Sequence, residues 1–485
     1  MATSIMKKLG AVLLFSVFLC LPALGQAGKY PSITWDKIRA AGPGLKPIGW
    51  LAVKHAKDIK SSPWSVGCET LDRDYADFSV YQNYVGELGV KHARLQSGWA
   101  KCEKEKGVYD FAWLDRCVQG LVAQGVAPWI SLSYGNPIYR SEKDLGAAIF
   151  TDETTMTAWC RYVEATVSRY QGVVQEWEVW NEPRHSESPQ AYANLLIRSI
   201  AAIKKVQPQA TILGFTVHGF SPGVVLKFPR AVLEILKASG KLDIVDYVTY
   251  HPYTPNPDDC YPMVEGLREL VHSYNPKIKL YQGESGCPSI LEWGHAMTRY
   301  PWTEYSQVKW NLRRMAGDRV RDIRSSVFTI IDLRYTSMLQ SFGLIRSNLL
   351  HEIIYLRPSY YAVQHMVSTF DDTVVPLGEL AHASSSPRRM AVGGFQQEGK
   401  ARVLFWYKDR IPSDDLKWDP TDLRISGISF EDPVYVELAS GRVYEIPKGS
   451  WHVENQAVWL QQLPVWDSVC MLAERSQVPL RPPAK

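Results

Sequence analysis

The sequence predicts an α/β protein, a (β/α)8 TIM barrel followed by a C-terminal β-sandwich. Three observations carry this expectation. From about residue 60 to 368, short apolar runs alternate eight times with stretches whose apolar residues recur at helical spacing. Helical periodicity stops after Thr369 and gives way to two-residue alternation, as in Val434, Val436 and Leu438. The chain is also too long for one hydrophobic core, so one large domain and a smaller one are expected.

Residues 1–25 carry Lys7-Lys8, the apolar run from Ala11 to Leu19, and Ala23-Leu24-Gly25 before Gln26, the pattern of a secretory signal peptide. The run is too short to cross a bilayer, and no later run of about 18 apolar residues exists. A secreted or periplasmic protein with no membrane span is therefore expected. The large Leu19 before Cys20 argues against a lipid-modified cysteine. Residues 26–60 have a weak pattern and are read as a covering segment or an added strand.

The barrel is assigned to residues 61–369. Its strand candidates are 65–67, 92–96, 126–133, 174–180, 211–216, 245–250, 278–282 and 326–331. Leu114, Cys117, Val118, Leu121 and Val122 form one apolar helical stripe, closed by Gly125. Tyr192, Leu195, Leu196, Ile200, Ile203 and Val206 form another, stopped by Pro208. Further helices are expected at 74–88, 154–170, 231–239, 262–274, 304–323 and 359–368. A doubly wound open sheet is the rival, but no Gly-rich phosphate loop follows the first strand. Residues 370–475 are assigned to the sandwich. Residues 476–485, with three prolines from Val478 onward, are assigned to a disordered tail.

Charge is nearly balanced. The formal net charge is +4 and includes Lys7 and Lys8 of the leader, with no basic block, so nucleic acid and anionic membranes are not expected partners. The 17 Trp and 25 Tyr suit the C–H faces of sugars, although ordinary core aromatics account for most of them. Seven cysteines follow the leader, an odd number. Cys68 with Cys102, and Cys260 with Cys287, fall on neighbouring loops of the expected barrel. No Cys or His spacing suggests a metal site, and no cofactor is expected.

In such barrels catalytic groups sit at the C-terminal ends of strands. The fourth strand ends in Trp180-Asn181-Glu182-Pro183, and the seventh ends in Gln282-Gly283-Glu284. Glu182 and Glu284 therefore face each other across the barrel mouth. Two carboxyls so placed suit glycoside hydrolysis, in which one protonates the leaving oxygen and the other attacks or stabilises the oxocarbenium-like centre. A separation of roughly 5–5.5 Å would favour retention of configuration.

Glu178-Val179-Trp180-Asn181-Glu182-Pro183, together with Gly283-Glu284, resembles the motifs of the retaining glycoside hydrolases of clan A, closest to families 39 and 5. The resemblance implies Glu182 as acid/base, Glu284 as nucleophile, and a carbohydrate substrate cleaved by double displacement through a covalent glycosyl-enzyme. In such a pair the acid needs a raised pKa and the nucleophile a low one. Arg94, at the end of the second strand, is the expected cation beside Glu284. Asn181 is expected to bind the sugar 2-hydroxyl. His251, in Tyr250-His251-Pro252-Tyr253, resembles the histidine or tyrosine that contacts the nucleophile region in the clan. Glu69, Tyr134, Asn136 and His218 are placed near substrate by the strand-end rule.

One departure concerns the eighth strand. Many clan members end it with a tryptophan that floors the sugar subsite, whereas Phe328-Thr329-Ile330-Ile331-Asp332 has none. Trp293, Trp302 or Tyr335 is expected to substitute. Glu292 and Glu304 are the reserve nucleophiles. Two other readings stay open at this level: a carbohydrate-binding protein on an inactive barrel, and a transglycosidase that uses the same residues but excludes water.

Overall fold

The computed structural model describes residues 42–139, 148–183, 186–415 and 417–481. The predicted leader and the first part of the 26–60 segment lie outside the described residues. Among those described, no helix is long and apolar enough to cross a membrane.

The first strand, β1 (Lys46–Leu51), belongs to the second domain. Eight parallel strands then close the barrel in chain order: β2 (Trp64–Gly67), β3 (His92–Gln96), β4 (Ala127–Leu132), β5 (Glu176–Val179), β6 (Thr211–Val217), β7 (Tyr247–Tyr250), β8 (Lys279–Ser285) and β9 (Arg324–Val327). Closure is by β2 on β9, with Trp64 opposite Ser325 and Val66 opposite Val327. Parallel strands are covered on both faces, so they read as apolar runs rather than alternation; β4 is buried from Pro128 to Leu132. The last barrel strand lies earlier than 326–331, because residues after Val327 leave the sheet. Thr329 Oγ1 there donates to the Gly67 carbonyl at 2.7 Å and ties the turn to β2.

Helices fall where the apolar stripes place them, and their ends have local causes. Asp77 caps Phe78–Leu88, Asp152 caps Glu153–Tyr170, and Ser188 caps Pro189–Val206 with proline at the first turn. Thr303 and Ser306 form a reciprocal capping box at the start of Glu304–Val320. That helix is buried along its whole length, because the barrel covers one side and the second domain the other. Charges sealed there need partners. Lys309 Nζ lies 2.6 Å from Asp467 of the sandwich, and Arg313 Nε donates to Asp258 at 2.8 Å while its Nη1 donates to the Arg410 carbonyl at 3.0 Å.

The second domain is a two-sheet β-sandwich. The larger sheet runs Val375–Glu379, Met390–Gln397, Lys400–Tyr407, Cys470–Glu474, Pro433–Glu437, Arg442–Glu445, β1, then Leu480–Arg481. The smaller runs His382–Ser384, Asp419–Ser426, Ala457–Val465, Trp451–Glu454. Of the two readings of the 26–60 segment, the added strand holds for residues 46–51, in the sandwich and not as a cover on the barrel, since β1 pairs with Arg442–Glu445. One expectation is corrected here. The 476–485 segment is not wholly a disordered tail, because Leu480 and Arg481 pair with Leu51 and Trp50.

All seven cysteines among the described residues are free thiols, so neither Cys68–Cys102 nor Cys260–Cys287 forms a disulfide. Three of these thiols serve as buried hydrogen-bond partners instead. Trp113 Nε1 donates to Cys102 at 3.3 Å, Arg314 Nη1 to Cys260 at 2.6 Å, and Cys287 donates to the Pro288 carbonyl at 3.3 Å. The tryptophans are mostly core. Nine of them, Trp180 among them, are essentially inaccessible.

Candidate active site

Arg94 is the centre of the site. Its side chain is fully buried inside the barrel, and every nitrogen is used. Nε donates to Glu178 Oε2 at 3.1 Å, joined by Nη2; Nη2 also reaches Asn181 Oδ1 at 2.7 Å. Nη1 donates to Glu284 Oε2 at 2.7 Å and to Glu69 Oε1 at 3.3 Å. Burial would favour loss of the proton, but Glu178, Glu284 and Glu69 outweigh it and hold Arg94 charged. Arg94 is thus the cation beside Glu284, and it also binds a residue given no role by sequence reasoning. Glu178 is fully buried, with Thr249 Oγ1 donating to its Oε1 at 2.7 Å. Its signal was a charged residue inside an apolar strand run, pointing into the barrel.

Glu182 is delivered by a strained turn. Trp180 and Glu182 both have positive φ, 71° and 46°, in a region that costs a non-glycine residue about 1–3 kcal/mol. Neighbouring Thr216, in a bulged part of β6, accepts the Glu182 backbone N–H at 2.8 Å and holds the turn. His251 Nδ1 lies 2.8 Å from Glu182 Oε1 and 3.8 Å from Glu284 Oε2. His251 therefore bonds the Glu182 side of the site first, a correction to its expected place beside the nucleophile. The contact to Glu284 comes from Tyr253, two residues later, whose hydroxyl donates to Oε1 at 2.8 Å. Sequence reasoning missed Tyr253, although it shares the strand-end segment with His251.

The electrostatics of Glu182 also depart from expectation. Burial alone would raise its pKa. The His251 hydrogen bond, with the charges of His251, His218 and Arg94, instead pulls it down to about 2. His251 moves up from its ordinary value: burial opposes this, but Glu284 and Glu182 outweigh it. The two directions together favour an ionised Glu182 paired with a protonated His251 across the 2.8 Å contact.

A carboxylate oxygen of Glu182, a ring nitrogen of His251 and a carboxylate oxygen of Glu284 all lie within 4.8 Å of one another. The two glutamates thus face each other across the mouth. Three such atoms could converge on a metal ion, but His251 already bonds Glu182, and Arg94 and Tyr253 bond Glu284. With a fixed guanidinium on one ligand, this donor set does not fit a divalent cation.

Asn181 and Tyr134 join the site as expected. Asn181 Nδ2 donates to the Tyr134 hydroxyl at 2.6 Å. Arg73, unforeseen, stands over the Tyr134 and Tyr75 rings, 5.3 Å from each centroid. His218 lies close enough for its charge to act on Glu182. Asn136 does not face substrate. Its amide donates to the Glu103 carbonyl at 2.7 Å and accepts the Ile138 N–H at 3.1 Å, so it braces its own loop. Glu69 is too buried to meet a ligand directly, with 1% of its side chain exposed. The reserve nucleophiles are structural: Glu292 holds the Ser341 N–H, and Glu304 binds Tyr355 and Arg357.

The three aromatic candidates for a sugar floor separate clearly. Trp302 is buried in a cluster with Cys287 and Trp310, and Trp293 is 77% exposed on the loop after β8, outside the Arg94 network. Tyr335 stacks between Tyr75 at 4.6 Å and His295 at 4.3 Å, and its hydroxyl feels the charge of Glu284. Phe328 packs edge-on to Tyr253 and Phe342.

No family model matches the chain, and no curated protein matches its sequence. Its fold is similar to solved structures of sugar-cleaving enzymes. One is a family 39 glycoside hydrolase from Bacteroides cellulosilyticus WH2, at 19% identity and TM-score 0.61, covering 85% of this chain and 81% of that chain. A second is a monomeric β-xylosidase from Caulobacter crescentus CB15, at 18% identity and TM-score 0.54, covering 90% and 98%. A third is a family 30 subfamily 8 xylanase from Clostridium acetobutylicum, at 12% identity and TM-score 0.52, covering 88% and 97%. At these identities the likeness is one of fold, and it agrees with the fold implied by the Asn-Glu motif.

Proposed function

We propose that this chain is a retaining β-glycoside hydrolase acting by double displacement on an oligo- or polysaccharide, exported by its N-terminal leader. The observation that carries the reading is the approach of a Glu182 oxygen to a Glu284 oxygen within 4.8 Å, on the side of the roughly 5–5.5 Å carboxyl spacing that retention uses rather than the roughly 6.5–9.5 Å of inversion.

In the first step Glu284 Oε attacks the anomeric carbon, the bond to the leaving oxygen breaks, and that oxygen takes a proton from Glu182. Glu182 is ionised at rest, so the proton reaches it from His251 Nδ1 along the 2.8 Å contact. Arg94 and Tyr253 aim the two oxygens of Glu284 and stabilise its anion before attack. In the second step Glu182 takes a proton from water, water oxygen bonds the anomeric carbon, and the ester to Glu284 breaks. The pair returns the proton to His251.

The β-xylosidase and the xylanase among the fold neighbours make β-xylosides the first substrates to try, with β-glucosides beside them. The test is turnover of aryl β-glycosides followed by proton NMR of the first-formed sugar. A β-anomer as initial product is expected; an α-anomer would mean inversion and would overturn the reading. Cleavage after Gly25 in protein recovered outside the cytoplasm tests export.

A further inference from the structure

Glu69 follows β2, and its carboxyl turns back into the barrel. A β-carbon at Gly67 would come 2.0 Å from Glu69 Oε2, so the glycine makes the room this carboxyl fills. Oε2 has no hydrogen-bond partner, and Oε1 accepts only the 3.3 Å contact from Arg94 Nη1. The same Nη1 gives Glu284 a 2.7 Å bond. One NH2 group thus serves two carboxyls unequally. Glu69 is therefore the weaker-held of the two carboxyls on Nη1, with one oxygen orphaned in a buried site that penalises its charged form.

Burial pushes the Glu69 pKa up to about 7, with Arg94 opposing and Glu284 adding to the rise. The other groups facing it are Cys68 beside it, Tyr81 on Phe78–Leu88 and Tyr253 after β7. Burial raises all three, so they stay neutral near pH 7. The charges around Glu69 are therefore Arg94 and Glu284, with Glu178 on the far side of the guanidinium.

We propose that Glu69 is a positioning residue for Glu284: as a neutral acid it leaves Arg94 Nη1 committed to Glu284, and as an anion it competes for that donor and draws the guanidinium away. The proposal rests on the reading of Glu284 as nucleophile. It predicts that turnover falls as pH rises through the Glu69 titration, independently of leaving-group protonation.

A dinitrophenyl β-xyloside or β-glucoside isolates this effect, because its leaving group needs little help from Glu182. With the wild type, kcat/KM is expected to fall above about pH 7, and in Glu69→Gln that alkaline limb should move up by about one pH unit or more. Glu69→Ala, which carries the same test where the Gln variant does not fold, should show the moved limb together with a kcat lower by about tenfold and little change in KM. An alkaline limb left in place in a folded variant overturns the proposal. A merely structural Glu69 would lower thermal stability without moving the limb. A second, activity-free readout is the melting temperature of wild type against Glu69→Gln between pH 4 and 9. A carboxyl raised on folding contributes stability that is full below its unfolded pKa and is lost as pH rises through about 7. The wild type should therefore lose ground to the variant over that window, and a constant difference overturns the neutral acid. Wild-type protein inert toward every aryl glycoside would instead reject the functional reading on which the role depends.

Discussion

Asn181 Oδ1 accepts Arg94 Nη2 at 2.7 Å, which decides which end of the Asn181 amide can face the cleft. The Nδ2 end gives one hydrogen to the Tyr134 hydroxyl, and under the proposed function its second hydrogen is the donor a sugar hydroxyl would use.

That orientation makes a specific prediction. Asn181→Ala should lower kcat/KM on a β-glycoside by about 10² to 10³, the worth of a sugar 2-hydroxyl contact that strengthens in the transition state. On the 2-deoxy analogue the same variant should lose little. Equal losses on both sugars would place Asn181 in scaffolding rather than in substrate contact.

Arg94 also holds the barrel interior together. Removing it leaves Glu178 fully buried beside Glu69 with no cation, and breaking such a pair costs about 3–5 kcal/mol. Arg94→Ala should therefore lower the unfolding free energy obtained from urea titration by that amount, besides abolishing activity. Arg94→Lys should not rescue it, because one ammonium cannot reach four acceptors held in a planar fork. A Lys variant with wild-type stability would show that the guanidinium geometry is dispensable.

The Glu182–His251 pair sets a pH window. Glu182 is lowered on folding, so its contribution is present above its ordinary value of 4.5 and lost as pH falls toward about 2. His251 is raised, so its contribution is present below 6.5 and lost as pH rises through its folded value. His251→Asn removes both. Its destabilisation, read as the melting-temperature difference from wild type across pH 3 to 9, should be greatest between about 4.5 and 6.5 and shrink on either side. A difference that grows steadily in one direction would contradict the coupled pair.

The barrel was legible because parallel strands, buried on both faces, leave apolar runs such as Trp177-Glu178-Val179-Trp180, and because helical stripes between them end at Gly125 or Pro208. Glu182 and Glu284 were legible because strand count and motif position agree. Glu178 was not, because a charge within a strand becomes meaningful only once the barrel is closed and Arg94 is seen beside it. Glu69 was legible as a strand-end acid but not as a buried one, since only Gly67 and the neighbouring strands decide which way its carboxyl turns. The place of β1 was hidden for a similar reason: Lys46–Leu51 is an edge-type segment whose partners, Arg442–Glu445 and Leu480–Arg481, lie more than 390 residues away.

The interface between barrel and sandwich should be mutable in a predictable direction. Lys309 is sealed between the domains with Asp467, so Lys309→Ala leaves a buried carboxylate with only the 4.0 Å contact to Arg410 and should cost about 3 kcal/mol. Lys309→Ala with Asp467→Ala should recover much of that loss in a double-mutant cycle. Additive losses would mean the two residues act independently.

The two glutamates proposed as catalytic can be told apart by the bond each would make. Glu284→Gln removes the atom that bonds the anomeric carbon, so no glycosyl-enzyme should appear by intact-mass measurement with any leaving group. Glu182→Ala removes only proton transfer, worth about 10² to 10⁴ in rate, and most of that loss should vanish from the glycosylation step, read as kcat/KM, with a dinitrophenyl glycoside that leaves unaided. In that variant deglycosylation becomes slow, because no base activates water, and the glycosyl-enzyme should accumulate. Azide needs no general base and fits the space vacated by the carboxylate, so it should restore turnover and yield a β-glycosyl azide, with configuration retained through two displacements. Azide added to a Glu284→Ala protein should instead attack the substrate once and give the α-azide. The opposite pairing of variant and anomer would exchange the roles of Glu182 and Glu284. Near wild-type turnover by Glu284→Gln would remove it from the reaction altogether, a result hard to reconcile with the bonds from Arg94 and Tyr253 that hold both of its oxygens at the mouth.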